Sequence, residues 1–387
     1  MFKKGVNMKI FNLGKIPIKS WAEEVEDEAL VQATNLSNLP FAHSHIALMA
    51  DVHVGFGMPI GGVLASKGVI IPNAVGVDIG CGIIAAKTDI KKMSITQIEN
   101  IVDKAHRSIP LGFKNHKKAR DWEGFDNPPN SKIIEKELDA ARYQLGTLGG
   151  GNHFLTMEQG SDGYVWLMVH SGSRNFGYKI ANYYNKIAKE INKKTNLTPE
   201  KHDLAGLYMD SNEGKEYFHA MNYALDFAKE NRRQLLEQFY SIFQKETKSK
   251  DILMKVSIHH NYASIEEHFG ERVVIHRKGA IKAELGELGV VPGSMGTPSY
   301  IVEGLGNEES FNTCSHGAGR VMSRNQANQV ITREMAEKAM GNIVHKGFKK
   351  DLSEAPMAYK DIEEVMENQK DLVRPLVKLT PLGVIKG

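Results

Sequence analysis

The sequence predicts an α+β fold, because helical and strand-like segments both occur along its 387 residues but do not alternate regularly. Three segments carry apolar residues at helical spacing, and several short apolar runs are typical of strands. Glycines cluster repeatedly beside a histidine, cysteine, aspartate or asparagine, which suggests loops that converge on one site. These observations predict one compact domain over residues 1–387, with central β-sheets flanked by helices.

The apolar spacing places the individual elements. Helices are predicted over residues 131–145, 178–192 and 216–245, and a fourth is expected to begin after Gly319 and run to about Gly341. Strands are predicted over residues 82–86, 164–170, 253–258, 272–275 and 300–302. Residues 1–40 are expected to form an N-terminal segment, and the polar residues from about 116 to 132 a surface insertion.

Composition excludes several classes of protein. The net charge is only +3, from 49 basic and 46 acidic residues, so any affinity for a nucleic acid would need a local basic patch. Two cysteines, Cys81 and Cys314, are too few for a secreted disulfide scaffold and favour reduced thiols in the cytoplasm. Neither a signal peptide nor a membrane-spanning pattern is visible, so no membrane partner is expected.

Five separated side chains have the chemistry of metal ligands. Asp78 and Cys81 lie three positions apart in a glycine-rich loop, where both can reach one ion and a thiolate can bridge two. His153 follows three glycines, His170 ends an apolar run, and His260 precedes an asparagine. Imidazole and thiolate suit zinc or a late transition metal, while the carboxylate leaves manganese open. A lone cysteine is more often a small buried core residue, and each histidine alone is compatible with the core, but the set predicts a dinuclear site suited to phosphoryl transfer.

His316 lies in the sequence Ser-His-Gly-Ala-Gly-Arg, at a predicted junction between a loop and a helix. Backbone N–H groups and Arg320 would favour a bound phosphate there, and the residues leave His316 open as a ligand, a base or a nucleophile. A second candidate cradle, Pro-Gly-Ser-Met-Gly, begins at Pro292. Asp51 and His53 are candidates for residues that do not bind the metal but form hydrogen bonds that orient its ligands.

Taken in order, eight motifs resemble those of the RtcB family of RNA ligases. They are Asp-x-His-x-Gly at 51, Asp-Ile-Gly-Cys-Gly at 78, Gly-Gly-Gly-Asn-His at 149, His-Ser-Gly-Ser-Arg at 170, His-Asn at 260, Pro-Gly-Ser-Met-Gly at 292, Ser-His-Gly-Ala-Gly-Arg at 315 and the final Lys-Gly. The resemblance runs from about residue 50 to the last residue, and eight motifs in register are far more specific than any single one.

The resemblance implies a GTP-dependent enzyme that joins a 2′,3′-cyclic phosphate or 3′-phosphate RNA end to a 5′-hydroxyl end, in RNA repair or tRNA splicing. It implies two Mn²⁺ ions, with GTP and RNA as substrates and an archease-type activator as a further partner. The resemblance implies that His316 carries GMP and that Cys81 bridges the two ions. Asp78 and His153 would be the other protein ligands of one ion, and His170 and His260 those of the second ion. The implied nucleotide contacts are Asn152, His153, Phe154, Leu155, Thr156, His260, Asn261, Pro292, Gly293, Ser294, Met295, Ser299, His316, Gly317, Ala318, Gly319 and Lys386. Charge adds Arg174 and Arg320 as candidate contacts to RNA phosphates.

Two departures and two alternatives accompany this interpretation. Thr156 stands where the family usually has a glutamate that binds the ribose, and Glu158 follows on the same face of an extended strand. Asn175-Phe176 replaces the more usual Gly-Leu. The alternatives are a dinuclear metal-dependent phosphoesterase, which needs neither Lys386 nor a guanine pocket, and a non-catalytic RNA-binding protein. Retention of all five proposed ligands and His316 speaks against the second.

Overall fold

Two large β-sheets pack face to face in the computed structural model, which describes residues 8–348 and 350–387. In chain order the strands are β1 (Lys9–Phe11), β2 (Ile18–Ser20), β3 (Ala42–Phe56), β4 (Met58–Ser66), β5 (Val69–Ile70), β6 (Gly82–Thr88), β7 (Phe154–Gly160), β8 (Val165–Ser171), β9 (Leu207–Tyr208), β10 (Ile252–His259), β11 (Asn261–His268), β12 (Glu271–Lys278), β13 (Ala280–Lys282), β14 (Leu288–Val291), β15 (Ser299–Gly304), β16 (Thr313–Ser315) and β17 (Val373–Lys386).

The first sheet has the order β1-β2-β3-β4-β12-β11, in which only β2 and β3 run parallel. The second has the order β10-β6-β8-β7-β17-β15-β14 and is antiparallel throughout. Buried residues from both sheets share one apolar cluster, including Ala47 and Ile275 from the first and Ile83 and Met168 from the second. The sheets therefore enclose a common core, as two packed layers do.

Helices cover the outer faces of this sandwich. They are α1 (Asp27–Ser37), α2 (Pro72–Val75), α3 (Ile95–Ser108), α4 (Lys132–Gln144), α5 (Arg174–Thr195), α6 (Asn212–Thr247), α7 (Arg324–Val330), α8 (Arg333–Met340) and α9 (Ile362–Asn368). Helix α1 packs on the outer face of the first sheet through Ala33 and Leu36. Helices α3 and α6 cover the second sheet with Ile101 and Phe239 among others. The predicted α+β class, with sheets flanked by helices, is confirmed.

The first three predicted helices are present as α4, α5 and α6, and the five predicted strands as β6, β8, β10, β12 and β15. The single helix expected to follow Gly319 was wrong: α7 begins only at Arg324, and α8 follows separately. Side chains set these starts, since the hydroxyls of Ser323 and Thr332 each accept a backbone N–H of the helix that follows. Such N-caps hold a helix start, so the polar stretch is divided into two short helices.

The polar stretch predicted as a surface insertion is fastened to the helices behind it. Phe125 is buried, and the ring of Trp122 lies against the rings of Phe125, Tyr223 and Phe227. The backbone N–H of His116 donates to the carbonyl of Tyr143 in α4. Within the described residues, no helix combines the length and the apolar character needed to cross a membrane.

Candidate metal and nucleotide site

The proposed metal ligands meet at one end of the second sheet. Asp78 and Cys81 lie in the loop that enters β6, and His170 ends the neighbouring strand β8, where Ile83 pairs with it. His153 immediately precedes β7, and His260 connects β10 to β11. Because β6, β7, β8 and β10 lie next to or near one another in the sheet, their ends bring residues from distant parts of the sequence together.

Cys81, His153 and His170 have ligand atoms that all lie within 4.8 Å of one another, and all three are buried. The Cys81 Sγ atom lies 3.4 Å from His153 Nε2 and 3.3 Å from His170 Nε2. Asp78 extends the cluster, with Oδ2 at 3.0 Å from His153 Nε2. One ion placed among these atoms would be held by sulfur, nitrogen and oxygen donors, a set that zinc, manganese and other transition metals accept.

Backbone carbonyls orient two of the histidines. The Nδ1–H group of His153 donates to the carbonyl of Leu148 at 3.0 Å, and that of His170 donates to the carbonyl of Asn152 at 3.1 Å. The neutral tautomer that each bond selects carries its lone pair on Nε2, the atom that lies near Cys81 and that a metal would bind. The Arg174 guanidinium lies 3.5 Å from the same Nδ1 of His153, too far to compete with the carbonyl.

Burial sets the protonation of the cluster in the absence of a cation. It lowers the pKa of His170 and of His260 well below the ordinary value, with the neighbouring histidines adding to the effect. It raises the pKa of the Cys81 thiol well above its ordinary value, and the charge of Asp78 raises it further. The imidazoles of His170 and His260 are therefore already neutral, whereas the Cys81 thiol must lose a proton when it binds a metal.

His260 connects this cluster to His316. Its ring centroid lies 5.1 Å from that of His170 and 4.8 Å from that of His316, edge to face in both cases. Among the described residues, the buried Nδ1 of His260 has no hydrogen-bond partner. A buried polar atom without a partner is costly, and coordination to an ion would satisfy it. The residues present therefore fit a metal site that extends towards His316.

His316 follows directly after β16, in a loop, so its predicted position at a helix N-terminus was wrong. Its Nδ1 lies 2.7 Å from Oδ2 of Asp51, and its backbone N–H donates to the same oxygen at 3.1 Å. Burial alone would raise the pKa of Asp51, but His316, with smaller effects from His53 and Lys360, lowers it. His53 donates from Nδ1 to the backbone carbonyl of Asp51. The Asp51 carboxylate thus contacts His316 and not one of the five proposed metal ligands, which it was predicted to orient.

Close backbone packing holds this arrangement. A Cβ atom added to Gly319 would lie 2.2 Å from the carbonyl oxygen of Asp51, and Gly319 has a φ of +71°. A side chain at this position would push the His316 loop away from Asp51, so the loop depends on glycine there.

A cavity beside His316 contains most of the predicted nucleotide contacts. Of these, its walls include Asn152, Phe154, Pro292, Gly293, Ser294, Met295, His316, Gly317, Ala318, Gly319 and Lys386. His170, His53 and Arg320, predicted in other roles, also line it. The other predicted nucleotide residues do not line it: His153, Leu155, Thr156, His260, Asn261 and Ser299.

Several of those residues have structural partners instead. The side chain of Leu155 packs in the core beneath the sheet. Asn261 donates to the backbone carbonyl of Asp78 and accepts the N–H of Gly279. Thr156 donates to Oε1 of Glu158 at 2.8 Å, so the two side chains do share one face of β7.

Four cavity residues were not found from the sequence, namely Ile60, Arg324, Glu354 and Tyr359. Glu354 is the most connected of them: its carboxylate lies 3.3 Å from Arg320, 3.2 Å from Arg324 and 3.2 Å from Lys386, and it accepts the hydroxyl of Tyr359. The Arg320 guanidinium also stacks over the Tyr359 ring. Glu354 stands in a stretch without glycine or histidine motifs, so no local signal marked it.

The chain is similar to known proteins over nearly its whole length. A family model described as tRNA-splicing ligase RtcB matches residues 32–387. The RNA-splicing ligase RtcB of Escherichia coli strain K12 is 38% identical over 99% of this chain and 100% of that protein. The tRNA-splicing ligase RtcB of Thermococcus kodakarensis is 29% identical over 94% of this chain and 92% of that protein. The RNA-splicing ligase RtcB of Mycobacterium tuberculosis is 30% identical over 92% of this chain and its full length. The chain belongs to the RtcB family.

Proposed function

We propose that the protein is an RNA ligase that joins a 2′,3′-cyclic phosphate or 3′-phosphate end to a 5′-hydroxyl end, using GTP and two Mn²⁺ ions. Its partners in this proposal are RNA, GTP and an archease-type activator, and its role is RNA repair or tRNA splicing. Family membership supports the ligase reaction. The geometry around His316 supports the covalent route, and it is the observation on which the proposal depends.

His316 has the features of a nucleophile. When Nδ1–H donates to Asp51, the lone pair remains on Nε2, and the His316 ring lines the cavity. Attack of Nε2 on the α-phosphorus of GTP would form a phosphorus–nitrogen bond and release pyrophosphate. The negative Asp51 carboxylate then stabilises the positive charge that develops on the ring, as the carboxylate of a catalytic triad does.

The metal cluster lies on the other side of the same histidine. Asp78, Cys81, His153, His170 and His260 would hold the ions, which would neutralise charge on the phosphates during transfer. Where the end is a 2′,3′-cyclic phosphate, water first opens it to the 3′-phosphate and frees the 2′-hydroxyl. The GMP group then passes from His316 to the RNA 3′-phosphate, and GMP leaves when the 5′-hydroxyl attacks that phosphate and forms the new phosphodiester bond. Lys386 and Arg320 line the cavity, where their charges would favour an anionic nucleotide.

The reaction is tested with purified protein, Mn²⁺, GTP and two RNA strands, one ending in a 3′-phosphate and the other beginning with a 5′-hydroxyl. We expect a joined product that requires GTP and is absent with His316→Ala. Hydrolysis of the terminal phosphate without joining would instead support the phosphoesterase and contradict the proposal. Repeating the assay with an archease-type protein tests the activator, and with Zn²⁺ or Mg²⁺ in place of Mn²⁺ the choice of metal.

A further inference from the structure

A second, larger depression borders the metal cluster, and His316 is not among the residues that line it. This groove has a volume of about 730 Å³, and its walls include Asp78 and His153 of the cluster as well as Arg174. Asn152 lines both the groove and the nucleotide cavity. The groove therefore reaches the proposed ions by a route that His316 and its cavity do not occupy.

Phe113 stands at the rim of the groove with its ring in solvent. Its side chain is fully exposed, at 105% of the reference value, although phenylalanine is among the residues most often buried. The turn that carries it is fixed: Gly112 N–H donates to the carbonyl of Gly149 at 2.8 Å, and Lys114 N–H donates to that of Leu111 at 3.2 Å. Gly149 belongs to the loop that carries His153, so the turn that carries the exposed ring is joined by a backbone bond to the loop of a proposed metal ligand.

Other groups in the groove and beside it have the chemistry to bind bases and phosphates: Tyr178 lines its wall, and three lysines lie in the adjoining loop. Tyr178 is about half exposed and lies four residues after Arg174 in α5, which puts both side chains on one face of the helix. Lys114, Lys117 and Lys118 are exposed in the same loop as Phe113, and no ion pair involves them within the described residues. We call residues 112–118 the basic loop.

We propose that the basic loop and Tyr178 bind a single-stranded RNA end, with a base stacked on the Phe113 ring. The inference rests on the proposed ligase function, since it takes the groove to hold an RNA substrate. Aromatic faces and cations that alternate along a groove are the means by which proteins bind single strands without reading sequence. A base in a duplex already stacks on its neighbours, so the exposed ring favours an unpaired end.

The arrangement also explains why so exposed a ring is pinned by backbone bonds. An exposed phenyl group does not stabilise the fold, because apolar surface lowers the free energy of the folded state only when folding removes it from water. A ring that is already held in position loses little freedom when a base covers it, and this preorganisation favours binding. The lysines add attraction to phosphates, which makes the affinity depend on salt.

The test measures RNA affinity by fluorescence, with 2-aminopurine as the terminal base of a 3′-phosphate strand or of a 5′-hydroxyl strand, in Mn²⁺ without GTP. We expect one of the strands to be quenched on binding to the wild type. Phe113→Ala should weaken its binding by roughly 5-fold to 150-fold and abolish the quenching, given the usual strength of stacking on one aromatic ring. Phe113→Trp should keep both the wild-type affinity and the quenching, whereas Phe113→Leu should lose both.

A matched control is Leu285→Ala, which removes another exposed apolar side chain that lines neither the cavity nor the groove. Circular dichroism and thermal melting show whether each variant is folded.

Changing Lys114, Lys117 and Lys118 to Gln should reduce the slope of log affinity against log salt by about 2, if each contacts one phosphate. Wild-type affinity in a folded Phe113→Ala protein, or full rescue by Leu, would overturn the stacking proposal. If His316 of the wild type did not accept GMP from GTP, the proposed function would be overturned instead. The binding measurement contains no GTP, so its outcome is separate from that result.

Discussion

The Nδ1 atom of His316 lies 2.7 Å from Oδ2 of Asp51, a carboxylate that is fully buried and also accepts the backbone N–H of His316. Two bonds to one oxygen fix both the loop and the ring. The Asp51 side chain thereby determines which ring nitrogen of His316 keeps its lone pair.

Asp51→Asn should slow the attachment of GMP to His316 by roughly 100-fold to 10,000-fold, the upper value being that for the same change in a catalytic triad. The amide can donate to Nδ1 and so stabilise the wrong tautomer, and it carries no charge to balance the ring. The measurement is the rate of protein labelling by GTP at saturating Mn²⁺. Asp139→Asn, an exposed change in α4, is the control and should label at the wild-type rate. Equal rates in the two variants would contradict the role of Asp51.

Cys81→Ser should weaken metal binding by at least about 10-fold, since it replaces the sulfur that contacts both His153 and His170. Cys314→Ser is the matched control, because Cys314 is equally buried but lies in β16 away from these ligands. Metal content after dialysis and titration calorimetry with Mn²⁺ measure the effect.

The pH dependence of metal affinity tests the same residue. Burial and the charge of Asp78 raise the pKa of Cys81, so the thiol keeps its proton until a metal displaces it. Affinity in the wild type should then rise with pH, by about 10-fold per unit where one proton is released. An affinity for Mn²⁺ that does not change with pH would show that Cys81 is not a ligand.

Gly172→Ala should weaken metal binding by displacing Asp78. A Cβ atom at Gly172 would lie 2.1 Å from Oδ1 of Asp78, so the carboxylate would have to leave its position beside His153. Gly150→Ala is the control in the loop that carries His153, since its Cβ would approach nothing closer than 3.6 Å. We expect loss of metal affinity in Gly172→Ala only. Equal affinity in both variants would remove Asp78 from the proposed ligands.

Glu158 should make the protein less stable as the pH rises from about 4.5 to about 7. Burial raises its pKa to about 7, although Thr156 and Ser299 donate hydrogen bonds that oppose the shift. The folded state therefore holds a proton that the unfolded state releases near pH 4.5, and stability falls across this interval before levelling off. The effect amounts to roughly 3 kcal/mol, at about 1.36 kcal/mol for each unit of pKa.

Glu158→Gln should remove this dependence, so the variant should gain stability relative to the wild type at pH 8 and little at pH 5. Urea unfolding at the two pH values measures it, with the exposed Glu99→Gln as control. If the difference between variant and wild type were the same at both pH values, the carboxyl would not be titrating in this range.

The sequence predicted the fold class and the helices α4, α5 and α6, because the apolar spacing of these helices is regular. It did not predict the 15-residue strand β3, whose residues from His45 to His53 are buried without alternation, so no strand period is visible. It also predicted one continuous helix after Gly319, where two N-caps in a polar stretch divide the segment into the short helices α7 and α8. The start of each of these helices depends on a single hydroxyl group, which the spacing of apolar residues does not reveal.

At the site, residues in glycine-rich motifs were easier to predict than those without them. The chain brings Cys81, His153 and His170 together as the motifs suggest. Glu354 was missed because its importance lies in contacts with Arg320, Arg324 and Lys386, which are distant in sequence and meet only in the folded chain. The roles of individual residues towards metal, nucleotide and RNA remain predictions that the variants above can test.

The most direct measurement is incubation of the protein with Mn²⁺ and GTP labelled at the α-phosphate, followed by denaturation. We expect the label to remain on the protein, to be released by acid as a phosphorus–nitrogen bond is, and to be absent from His316→Ala. A wild-type protein that converts GTP or joins RNA while never carrying the label, or a His316→Ala protein that carries it, would contradict His316 as the residue that holds GMP.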